Sequence, residues 1–150
     1  MAAGNITIFG KNKNNLNMVA AAGATLKLAL LTSSATPDAT ITGNQVWADL
    51  SANEIANGFG YTTGGITLAS VTASTITGGY KITCTAPVWT ASGGSIPAWR
   101  YGVIYVSGTL WSLTNPLISY FVGDSTPADI PATSGTLTIT PNASGLWDIT

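Results

Sequence analysis

The chain has 150 residues, of which five are Lys or Arg, six are Asp or Glu and none is His, leaving a net charge of −1 at pH 7. Charged residues make up 7% of it, against about a quarter in an ordinary soluble domain, while 45% is apolar. Without histidine, neither a Ser-His-Asp nor a Cys-His nucleophile system can be built. One cysteine and no histidine cannot make an ordinary zinc site, and five dispersed basic residues give no electrostatic footprint for nucleic acid.

This length fits one domain able to bury about 70% of its unfolded surface without a staple. The five Trp, five Tyr and many Val, Ile and Thr suit pleated, half-buried strands, and a disordered chain would lack them. Cys84 stands alone, so no intramolecular disulfide is possible; within the alternating Lys81 to Thr85 it reads as a small core residue. Lys11 and Lys13 ahead of the apolar stretch Leu16 to Leu31 superficially resemble a signal peptide. Lys27 interrupts that stretch, and its unbroken part falls short of the roughly 20 residues that span a bilayer. The stretch is expected to belong to the folded domain, with no membrane partner.

In chain order, Asn5 to Phe9 alternates as a first strand. A polar break follows at Gly10 to Asn15, and Leu16 to Ala22 has room for a helical turn or two. Thr25 to Thr32 alternates and then turns wholly apolar, as a strand entering a core does. Ser33 to Gly43 reads as a loop. Ser51 and Glu54 stand at capping-box spacing ahead of Asn57-Gly58, which predicts one short helix. Strands are predicted over 61–68, 70–77, 80–85, 88–91, 99–106, 109–113, 117–122, 136–140 and 146–150, punctuated by Gly64-Gly65, Gly78-Gly79, Gly93-Gly94 and Ser107-Gly108. The fold class is mainly β: an antiparallel sandwich or jelly roll with one short helix.

The carboxylates are scattered, and a calcium site at Asp124 and Asp129 is conceivable but weaker than a solvated loop. The run Gly58 to Gly65 has neither the dinucleotide-binding spacing nor a following Lys, so its glycines read as turn residues. Trp89, Trp99 and Tyr101 lie in strand patterns and are core candidates. Arg100, between large aromatics, is expected to stack on a ring or to pair with Glu54, the only glutamate. No catalytic residue, cofactor or metal site is predicted.

An ordered set of segments carries a resemblance. These are Leu26 to Ser33, Ala35-Thr36-Pro37, Trp47 to Ile55, Gly60 to Gly65, Val88-Trp89-Thr90, Ala98 to Tyr105, Pro116 to Tyr120 and Thr138 to Leu146. Together they resemble small tailed-bacteriophage virion proteins, similar to capsid decoration (cement) proteins. The likeness runs from about residue 25 to the C-terminus, which separates an N-terminal arm or strand, 1–24, from a single β-sandwich domain, 25–150. It implies a non-enzymatic protein made in the host bacterial cytoplasm and placed on the capsid exterior. Its implied partners are the major capsid protein and further copies of itself, with a trimer favoured and a dimer possible. Ile6, Ile8 and Phe9 are expected to add an edge strand to a partner, because a terminal strand is readily lent. A tail, head-to-tail or fibre component is the alternative, and a carbohydrate-binding module using the tryptophans is the remote one.

Overall fold

The computed structural model describes residues 6–10, 23–77, 79–124, 129–142 and 145–149. Among them are twelve strands: β1 (Ile6–Ile8), β2 (Leu26–Leu31), β3 (Ile66–Thr67), β4 (Thr72–Ile76), β5 (Gly79–Thr83), β6 (Val88–Thr90), β7 (Tyr101–Val106), β8 (Thr109–Leu110), β9 (Leu113–Thr114), β10 (Leu117–Val122), β11 (Thr136–Thr138) and β12 (Trp147–Ile149). The largest sheet has the order β1-β10-β7-β2-β3. A second has the order β12-β5-β4, β6 pairs with β11, and β8 pairs with β9. Every pairing is antiparallel, giving a sandwich-like, mainly-β fold.

The apolar run of β2 follows from its position. Leu26, Leu28 and Leu30 face a core shared with Ile104, Ile118 and Phe121 and with Ile82, Trp89, Trp99 and Leu137. Ala29 and Leu31 alternate to the other face, where Val103, Tyr105, Phe9, Trp47 and Leu50 form a second core. With both faces covered, only Lys27 in β2 is polar. In β10 the register against β7 shifts between Leu117 and Ser119. The irregularity lets Ile118 and Phe121, three positions apart, enter the same core. Ser119 is fully buried there, and its Oγ has no hydrogen-bond partner among the described residues.

Three sequence expectations are corrected. The short helix expected within Asp49 to Ala56 is replaced by two single 3-10 turns, Trp47–Asp49 and Ser51–Asn53. Glu54 is already extended and bridges Leu31, so pairing with β2 overrides the capping signal. Asp49 performs the reach-back instead, its Oδ2 accepting from the Gln45 and Val46 amides at 2.8 and 3.0 Å. The strand over 61–68 shrinks to Ile66–Thr67, because Gly64 and Gly65 at φ +90° and +72° turn the chain before it. The strand over 109–113 folds back at Trp111 and Ser112, both left-handed at φ 53° and 61°, to form the β8–β9 hairpin.

Residues 6–10 join the main sheet: Ile6 lies opposite Phe121, and the Phe9 amide donates to the Ile118 carbonyl at 3.0 Å. The helical turns expected over Leu16 to Ala22, together with residues 78, 125–128 and 143–144, lie outside the described residues.

Gly65 and Gly93 share φ +72°, but a Cβ on Gly65 would collide with the Leu28 carbonyl, whereas one on Gly93 meets nothing within 4 Å. Gly93→Ala is expected to cost only the left-handed penalty, about 1–2 kcal/mol. Gly65→Ala should cost more than double that in denaturant titration; equal losses would mean that φ alone decides. Ser119→Ala removes a buried hydroxyl with nothing to bond, and is expected to hold or raise stability by up to about 1 kcal/mol in thermal melting.

Candidate functional site

The polar groups that the fold gathers lie at one end of β2. β3 pairs with Lys27 and Leu28, and the Ile55 amide donates to the Leu30 carbonyl at 3.0 Å. The Leu30 amide, on the same edge, is met by a side chain: it donates to the Tyr61 hydroxyl at 3.0 Å. That hydroxyl donates in turn to Glu54 Oε1 at 2.6 Å, which also accepts the Gly64 amide at 2.7 Å. The Tyr105 hydroxyl donates to the Gly64 carbonyl at 2.7 Å, and Trp47 stacks on the Tyr105 ring with centroids 4.7 Å apart. The cluster therefore ties loop 58–65, the 3-10 turn of Trp47 and the two central strands together.

Its electrostatics follow from burial. Desolvation pushes the Glu54 carboxyl above its usual range, opposed by the Tyr61 and Gly64 hydrogen bonds and by the Lys27 charge. Desolvation also raises the Tyr61 hydroxyl, helped by its bond to Glu54, and pushes Tyr105 up to about 12. Phenols held this firmly protonated act as hydrogen-bond donors at neutral pH and not as bases. The geometry locks a loop onto a sheet.

The core candidates separate. Trp89 and Trp99 are buried in the first core, and Trp99 meets Phe121 edge-on. Tyr101 packs at the second core beside Tyr120, and the Arg100 amide caps β2 by donating to the Leu31 carbonyl at 2.7 Å. The hydrogen bonds described above for the Glu54 carboxylate run to Tyr61 and Gly64. Tyr61, Tyr105 and Lys27 were not singled out by sequence reasoning; the only available signal was a lone glutamate a few residues before a Gly-Tyr-Thr-Thr-Gly-Gly turn.

The interface candidates also divide. Phe9 is 0% exposed and packs with its ring tilted against Tyr120, so this chain's own core occupies it. Ile6 and Ile8 are partly buried against the first core and lie on the outermost strand of the main sheet. Cys84 is half-buried, with its thiol pushed up to about 11 by desolvation. Trp47, Trp89, Trp99 and Trp111 are all buried or partly buried, which leaves no exposed indole among them for stacking on a sugar.

The surface does expose Ile41, Phe59 and Val88. Phe59 is left-handed at φ 53°, an unusual state for a bulky residue, and its ring covers Gly94, where a Cβ would collide with it. Beside Val88 lies a shallow hollow of about 170 Å³ lined by Gly60, Thr62, Gly65, Ile66 and Trp89. A larger cleft of about 240 Å³ runs between β2–β3 and the β4–β5 hairpin. Neither is lined by an ionisable side chain. Among the described residues no group of three or more His, Cys, Asp or Glu could hold a metal ion, and no helix is long and apolar enough to cross a membrane.

Tyr61→Phe strands the Leu30 amide and is expected to cost about 1–3 kcal/mol in denaturant titration. Glu54→Gln keeps an acceptor oxygen for Tyr61 and Gly64, so its loss should be smaller. The folded chain holds the Glu54 proton more tightly than the unfolded one. This contribution is therefore fully present below the ordinary value of 4.5 and fades as pH rises through the raised folded value. The difference in stability between wild type and Glu54→Gln should accordingly move against the wild type between acid and neutral pH; a pH-independent difference would refute the assignment.

Comparisons of the chain with protein-family models, with curated protein sequences and with solved structures return no match.

Proposed function

We propose that this chain is a non-enzymatic structural protein of a tailed-phage particle, a decoration protein that binds the outside of the icosahedral head as a homo-oligomer and partners the major capsid protein. The observation that carries this reading is where the resembling segments fall in the fold. Leu26 to Ser33 contains β2, Trp47 to Ile55 contains the 3-10 turns and the Glu54 bridge, and Gly60 to Gly65 is the loop held by Tyr61. Ala98 to Tyr105 and Pro116 to Tyr120 enter β7 and β10. The likeness thus covers much of the main sheet and extends beyond it to β6, at Val88-Trp89-Thr90, and to the end of β11, within Thr138 to Leu146; the sandwich-like fold agrees with the one it implies.

Two further features support the reading. The only glutamate and two of the five tyrosines are engaged in holding the loop to the sheet. Beside its few charges, the described surface offers strand edges and the exposed apolar side chains of Ile41, Phe59 and Val88. Apolar burial at roughly 25 cal/mol per Å², repeated over many copies, can hold such a subunit on a shell.

The β1 edge is the contact we assign to the head. Because the Phe9 amide points toward β10, alternation turns the amides of Ile6 and Ile8 outward. Deleting residues 1–10 would remove Phe9 from the core as well as the edge, so a gentler change separates binding from folding. Ile8→Pro removes one outward donor and leaves the inward bonds of Thr7 and Phe9 in place. Copy counting by mass spectrometry on purified particles is expected to give hundreds of copies, and Ile8→Pro to reduce occupancy with the circular dichroism spectrum retained. A dozen or fewer copies would move the protein to the tail, and its absence from particles would overturn the reading.

A further inference from the structure

The sheet β12-β5-β4 ends in an edge that the fold leaves open. β4 has β5 on one side and no strand on the other among the described residues. Thr72, Ala73, Ser74 and Thr75 are all exposed. Soluble proteins guard such edges with Lys, Pro, a bulge or a covering element. From Ser70 to Thr77 there is no charge and no proline, and the pairing with β5 runs without a register shift from Thr72 opposite Thr83 to Ile76 opposite Gly79. At five residues β4 is also the longest edge strand among the described ones; β1 and β12 have three each and β3 has two.

The register says which groups face out. Two residues connect Ile76 to Gly79, and the closing pair of such a hairpin is hydrogen-bonded. Alternation then directs the backbone of Thr72, Ser74 and Ile76 toward β5, and that of Ala73 and Thr75 outward.

We infer that β4 is a self-association strand, pairing antiparallel with β4 of a second copy across a two-fold axis at Ser74, so that the two sheets join into one. A row of outward amides and carbonyls is matched by another extended strand. Identical edges match fully about a two-fold axis: Ala73 of each copy lies opposite Thr75 of the other, giving about four backbone hydrogen bonds. Ser74 faces Ser74 as the close, non-hydrogen-bonded pair, about 4.5 Å apart at Cα. No like charges meet across the axis, as they would on a Lys- or Glu-bearing edge. The inference concerns the free chain and does not rest on the particle reading.

Sedimentation velocity on the purified chain tests it. The contact is small, so a weak dimer is expected, with Kd roughly in the micromolar-to-millimolar range. Thr75→Pro removes an outward donor from each copy and should abolish the dimer. Ser74→Lys and Ser74→Glu should each weaken it by placing like charges opposite one another, and mixing the two should restore it as a heterodimer. Ser74→Cys should cross-link under mild oxidation, since the expected spacing lies within disulfide reach, whereas the wild type with its half-buried Cys84 should not. Melting curves for each variant report whether the hairpin remains folded, and the charge-swap pair decides the matter if Thr75→Pro unfolds it. A chain that stays monomeric at millimolar concentration overturns the inference. So does a dimer indifferent to both Ser74 charge variants.

Discussion

The amide of Leu30 is the point on which the structure depends. It belongs to a strand covered on both faces, where an unpaired N–H has no route to water. Backbone pairing meets most of that edge, through β3 at one end and the Glu54–Ile55 segment at the other. Between them a phenol takes the place of a carbonyl. Tyr61 can accept from Leu30 only while its own hydrogen is directed elsewhere, and Glu54 supplies that direction. The same carboxylate holds Gly64, whose carbonyl receives the Tyr105 hydroxyl and so secures the loop to β7. One half-buried charge thus orders two tyrosines, a glycine-rich turn and two strands. The burial that raises its pKa is the cost of that arrangement.

The sequence made the strands legible where their periodicity was set by burial. β2 and β10 read clearly, because residues covered on two faces are apolar at nearly every position. The capping-box signal at Ser51 and Glu54 failed for a physical reason. It describes what two side chains can do locally, whereas Glu54 gains more from Tyr61, Gly64 and the Leu31 bridge. Trp111 and Ser112 carry no turn signature, and their left-handed hairpin is sustained by Trp111 packing on the core. The Glu54 cluster was invisible for a related reason: its members come from residues 27 to 105, and nothing local marks Tyr105 as a partner of Gly64. Phe9 shows the opposite failure, since an apolar residue near the terminus looks lendable until the second core is seen to contain it.

The charge poverty of the chain takes on a structural meaning at the sheet edges. Charges usually do two things for a β protein: they keep it dispersed, and they make its edge strands poor templates for other strands. With eleven formal charges in 150 residues, few are left for either task. Lys81, on β5, sits one strand inside the open edge, opposite Ser74. β4 itself carries none.

The β1 and β4 edges differ in what they can bind. β1 packs the partly buried side chains of Ile6 and Ile8 against the first core and offers outward its backbone, at the edge of a sheet covered by two cores. β4 is exposed from Thr72 to Thr75, so both its outward backbone and its small side chains are open to a second strand. A rigid edge favours a fixed partner surface, because little ordering entropy is lost there. An adaptable, self-matching edge favours another copy. Each contact alone is small and so weak, yet a subunit that holds a repeating surface through one and its neighbour through the other gains effective concentration from the lattice beneath it. Under the proposed function weak edges are an advantage: the free chain stays reversible, and firm attachment arises only where many copies are held side by side.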